Sequence, residues 1–157
     1  MTSHATPAAI RHLFLSPSHT YALTDAAALL GMDVEDLRGW LDVGEIEGMQ
    51  VGAAGPVVVP WSELVFFGMD FWSQEVVEAA LGVDAAQAIP ELVRLTEMEV
   101  RIPRLQVVTL ERLAERDGGT VSGVLARELR DLVSVHAPWL STEVAGFAEA
   151  LAWPDEV

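Results

Sequence analysis

"MEVRIPRLQVVTLERLAERDGGTVSGVLARELRDLVSVHA", residues 98–137, is the stretch whose reading decides the fold. Val100 and Ile102 alternate with Glu99 and Arg101, the two-residue period of a half-buried strand. Pro103 has no amide to donate, so it ends pairing and suits the start of a helix. That helix is expected to run to about Arg116, with Val107, Leu110, Leu113 and Ala114 along one face. "DGGT" breaks it. Thr120 then caps a further helix, whose Val121, Val124, Leu125, Leu129 and Leu132 form the next apolar stripe.

Strand, helix, turn and helix in about forty residues resemble the ribbon-helix-helix (Arc/MetJ-type) repressors and antitoxins. "RIPR" before the first helix and "GTVS" at the start of the second are the matching landmarks, and the match runs without gaps from Glu97 to about Leu132. One such unit cannot close a core or pair its lone strand. Two copies solve both problems with a two-stranded antiparallel ribbon and four interlocked helices, so an intertwined homodimer is expected. Its interface would use Val100, Ile102, Leu110, Leu113, Val124, Leu125 and Leu129. The resemblance implies that Glu97, Glu99 and Arg101 face the major groove. It also implies that Thr120, Val121 and Ser122 clamp a phosphate at a helix N-terminus, where free amides point outward. Arg104 and Arg116 would add backbone contacts. Arginine offers two donors to guanine, whereas glutamate only accepts, chiefly from cytosine, and repels phosphate. Arg101 either reads bases or pairs with Glu99 across the ribbon dyad.

Upstream, "AAIRHLFL" reads as a short helix ended by "SPSH". "TDAAALLG" follows, with Thr24 as expected cap and Gly31 as stop. "DVEDLRGWLDVGEI" has Asp33 as cap and Val34, Leu37, Trp40 and Leu41 at helical spacing. Two short apolar segments flank "GAAG", a hairpin signature, and Pro60 leads into the helical "WSELVFFGMDFW". Residues 23–67 resemble the winged helix-turn-helix of the MerR and excisionase families, in the opening "TDAAALLG", the "GEI" after the second helix and "VPWSEL" after the wing. The resemblance maps DNA contact to Arg38 and the wing Gly52–Gly55. Glu35, Asp36 and Asp42 surround Arg38, however, so a solvated helix residue is the competing reading. Trp61, Phe66, Phe67, Phe71 and Trp72 are expected to build the core joining the two halves.

The organisation expected is therefore mainly α with short β elements. A winged helix-turn-helix occupies residues 20–72, connecting helices residues 73–93, and the ribbon-helix-helix module residues 94–137. An amphipathic tail fills residues 138–157. In the tail, Ser141 or Thr142 is the expected cap of a helix carrying Val144, Phe147, Leu151 and Trp153 on one face. That stripe either binds a basic partner, as the acidic tails of ribbon-helix-helix antitoxins wrap a toxin, or folds back on its own core.

Charge bounds the function. Nine basic residues, all arginine, stand against 24 acidic ones, for a net −15. Residues 1–92 hold two arginines and 13 acids, while residues 93–130 hold seven arginines and six acids. A polyanion would therefore meet the second segment, since the first repels phosphate. The absence of cysteine excludes disulfide scaffolds and thiolate chemistry. His4, His12, His19 and His136 have no metal-ligand spacing, and Ser16, Ser18 and His19 form no catalytic motif. No enzyme activity, cofactor or metal is expected. The opening "MTSHATPAAIRHLF" lacks the order of a signal peptide and no apolar run is of membrane-spanning length, so a cytoplasmic protein is expected. Two functions remain. One is a dimeric, antitoxin-like transcriptional regulator on a palindromic operator. The other is an acidic interaction module for a basic protein such as a toxin, with little DNA binding. A small-molecule sensor would need an aromatic pocket.

Overall fold

A computed structural model describes residues 6–155; His4 lies outside them. It is mainly helical with one small antiparallel sheet, and it divides into two compact units, Met1–Leu95 with Ala152–Val157, and Thr96–Leu151.

In the first unit, Thr6 caps helix α1 (Pro7–Leu15), its hydroxyl accepting from the Ala9 amide at 3.2 Å, with proline at the first helical position. Strand β1 (Thr20–Ala22) leads directly into α2 (Leu23–Leu30). The helix therefore starts one residue before Thr24, and its cap position is Ala22, not Thr24. Ala22 is held by its pairing with Val58, and the strand leaves no room for a separate capping turn. Gly31 ends α2 in the left-handed conformation, at φ 68°. Asp33 stands at the cap position of α3 (Val34–Asp42), although its side chain makes no capping bond. Strands β2 (Met49–Gln50) and β3 (Val57–Pro60) pair through Met49 with Val58 and Gln50 with Val57, so "GAAG" is indeed the tip of a hairpin. Gly55 is needed there because a Cβ would lie 1.7 Å from the Val51 carbonyl oxygen.

The sheet order is β1-β3-β2. Helix α4 (Trp61–Trp72) follows Pro60, and α5 (Gln74–Leu81), a 3-10 turn (Gly82–Asp84) and α6 (Ala85–Ala88) fill the connecting region. The core gathers Leu13, Leu30, Leu37, Val59, Leu64 and Val77, all without solvent exposure. Trp61 is buried against them and donates its indole N–H to the Leu13 carbonyl at 2.7 Å, which satisfies the one polar group it brings inside. Trp72 is also buried, while Phe67 and Phe71 pack at the edge. Phe66, expected inside, is 47% exposed, because α4 turns it away from the apolar stripe. The tail returns: Pro154 is fully buried, and Trp153 packs on the core with its ring 6.4 Å from that of Phe14.

The second unit is a helical hairpin of α7 (Arg104–Asp117) and α8 (Val121–Glu143). Gly118 closes α7 in the left-handed conformation, and the Thr120 hydroxyl caps α8 by accepting from the Gly123 amide at 3.1 Å. Two sequence expectations change here. Residues 95–103 form no strand within the single chain, because a strand exists only through ladder bonds and this segment has no ladder partner among the described residues. The second correction concerns the tail. Helix α8 runs through Pro138 to Glu143, so Ser141 and Thr142 sit in its last turn and cap nothing. The Val144 amide bonds the Leu140 carbonyl at 2.9 Å and closes α8, and a separate short helix, α9 (Phe147–Ala152), follows. Among the described residues no helix is long and apolar enough to cross a membrane.

Candidate functional site

The hairpin of α7 and α8 buries very little of what it carries. Only Ala114 and Val124 are buried among its described residues. Leu110, Leu113 and Leu125 are half-buried, while Val100, Ile102, Leu129 and Leu132 are exposed, at 48%, 37%, 43% and 54%. The periodicity that marks these residues as core is thus only partly used by the single chain. Soluble chains rarely leave so many apolar side chains of one small unit in water.

Glu97, Glu99 and Arg101 are all exposed on the extended segment, and Arg104 is exposed as the first residue of α7. Among the described residues neither Arg101 nor Arg104 has a hydrogen-bonding or ionic partner, so both guanidinium groups are free. Arg104 also sits at the positive end of its helix, where a cation is unfavourable unless an anion accompanies it. The N-terminus of α8 shows a related feature. Thr120 satisfies the Gly123 amide, which leaves the Val121 and Ser122 amides without an acceptor among the described residues.

Of the other arginines in this unit three are paired, while Arg130 has no side-chain partner among the described residues. Arg112 pairs with Glu115 at 2.7 Å, and Arg116 with Asp117 at 2.7 Å. Arg127 reaches the same Asp117 at 3.2 Å. The hydrogen bond from Arg116 holds the Asp117 carboxyl below its ordinary value against the opposing effect of burial, and Arg127 adds to the lowering. The same bond, with the charge of Asp117, raises the Arg116 value. Arg116, expected to touch a polyanion backbone, is exposed and bonded to Asp117 at the turn between the helices.

In the first unit Arg38 is exposed on α3 and bonded to Glu35 at 2.6 Å. Gly52 takes a positive φ of 76°, and the hairpin tip brings no charge. A small open cleft is lined by Ser18, His19, Trp61 and Asp155, but no hydrogen bond links the polar side chains among the described residues. Among those residues no group of three His, Asp or Glu is placed to hold a metal ion.

Sequence reading missed an aromatic ladder on this unit. Trp40 of α3 lies against Phe67 of α4 with ring centroids 5.5 Å apart, and Phe67 stacks on Phe71 at 5.2 Å. The four-residue spacing of Phe67 and Phe71 was visible as one helical face, but nothing in the sequence pairs it with Trp40. No family model, curated protein or solved structure matches the chain.

Proposed function

We propose that the chain is a dimeric, antitoxin-like transcriptional regulator that binds a palindromic operator through its second unit. The observation that carries this reading is the conjunction on residues 97–132 of an uncovered apolar face and an uncommitted cationic edge. Two copies pairing residues 97–102 antiparallel would supply the missing ladder and cover Val100, Ile102, Leu129 and Leu132. The same pairing would bring two copies of Arg101 and Arg104 into one positive stripe. The free amides of Val121 and Ser122 would then offer each DNA strand a phosphate site.

The test is a titration of duplex from the region flanking the protein's own coding sequence, at low salt. Retardation at micromolar protein or below is expected, with affinity falling steeply as salt rises. Arg101→Ala and Arg104→Ala should each weaken binding and reduce the salt slope by about one. No retardation, with both substitutions silent, would refute the reading.

A second reading, an acidic interaction module, is favoured by the committed Arg38 and the −15 net charge. It predicts copurification of a basic neighbour-encoded protein, such as a toxin.

A further inference from the structure

The Trp40, Phe67 and Phe71 ladder crosses from α3 to α4. Trp40 is 38% exposed, whereas Phe67 and Phe71 are half-buried against the core, and Phe66 is exposed but turned away from that stripe. Aromatic faces left in water at an element junction are costly unless something covers them. The surrounding charge is of one sign. Asp36 lies one turn before Trp40 on α3, and Asp70 lies one turn beyond Phe67 on α4. One carboxylate oxygen of Asp36 is screened from solvent and has no donor among the described residues. The base nearest in sequence, Arg38, is bonded to Glu35, and no lysine, arginine or histidine occurs between residues 39 and 93.

A duplex would find no cation here to replace its counterions, and it would meet two carboxylates. An arginine-rich polypeptide would find what it needs. Guanidinium planes stack on exposed indole and phenyl faces, and carboxylates at the edge accept their N–H groups.

We propose that this face of the first unit docks an arginine-rich segment of a second protein, with Trp40 as the stacking anchor and Asp36 and Asp70 as the ionic partners. The site is separate from the DNA-binding edge proposed for the second unit, and neither claim depends on the other. Two modules of opposite local character would then allow one chain to hold a polyanion and a basic protein.

Fluorescence anisotropy of a labelled peptide of alternating arginine and alanine, titrated with the full chain, tests this directly. A peptide of alternating glutamate and alanine serves as comparison. Saturable binding of the arginine peptide alone is expected, weakening with salt. Trp40→Ala should weaken it at least tenfold. Asp36→Asn with Asp70→Asn should weaken it comparably and flatten the salt dependence. Asp131→Asn with Glu143→Gln, which removes the same number of charges from α8, should leave it unchanged. The paired asparagine variant decides the matter if Trp40→Ala fails to fold by circular dichroism. The proposal is overturned if the arginine peptide does not bind. It is equally overturned if the α8 pair weakens binding as much as the Asp36 and Asp70 pair, since general acidity would then suffice. Trp40→Ala abolishing self-association would also overturn it, since that would assign the face to a second copy.

Discussion

Thr120 is the residue on which the second unit turns. Its hydroxyl takes the Gly123 amide, and its backbone carbonyl takes the Val124 amide at 3.0 Å, so it orders the turn after Gly118 and Gly119 and starts α8. Thr120→Ala should lower stability by about 1 kcal/mol, and Thr120→Ser should recover most of that, as read from thermal melts. Asp117 offers a second test on the same turn. Its folded value lies below its unfolded one, so the stability it contributes is complete above the unfolded value. That stability is lost as pH falls through the lower folded one. A carboxyl-detected NMR titration should place Asp117 below the ordinary aspartate value of about 3.9. Arg116→Ala should move it back upward, because the Arg116 hydrogen bond is the main cause of the shift. The pairing of Arg116 was legible in part, since Glu115 and Asp117 flank it while Arg104 has no acid between residues 100 and 110; the reach of Arg127 to Asp117 across ten positions was not.

At the scale of elements, α8 is the departure that matters most. A proline normally ends a helix, since it removes an amide donor and crowds the preceding turn. Here Pro138 sits inside a 23-residue helix, five residues before its last, Glu143. Pro138→Ala should therefore stabilise the chain, by about 1–3 kcal/mol, visible as a raised midpoint in urea and more helical circular dichroism. The periodic helices were legible because four or more apolar positions repeat on each. Leu37 and Trp40 on α3 mark one such face, and Val124, Leu125 and Leu129 on α8 mark another. Strand β1 was not legible, since three residues cannot show an alternation and its partner β3 lies some forty positions away. The run Val100–Ile102 has the alternation but lacks a ladder partner among the described residues. A sequence pattern reports which face wants covering; it does not report what covers it. The aromatic ladder was hidden for the same reason, because Trp40 and Phe67 meet only once α3 and α4 are packed.

For the whole molecule, the two units differ in kind. The first closes its own core around Leu37, Leu64 and Val77 and ends with Pro154 buried in it. The second buries only Ala114 and Val124 among its described residues and leaves a row of valines and leucines in water. Under the proposed pairing of two copies such a unit would gain stability by association, and its apparent stability would depend on protein concentration. Thermal midpoints should rise as the chain is concentrated, while Leu37→Ala, which empties a site in the self-contained core, should cost about 2–5 kcal/mol at any concentration. The most direct measurement is sedimentation equilibrium of the full chain, beside a variant carrying Val100→Asp and Ile102→Asp. The account predicts twice the chain mass at micromolar concentration for the native sequence. It predicts a single chain mass for the variant, with the helical signal of the first unit retained. A native chain that stays monomeric at tens of micromolar, or a variant that remains dimeric, would contradict it.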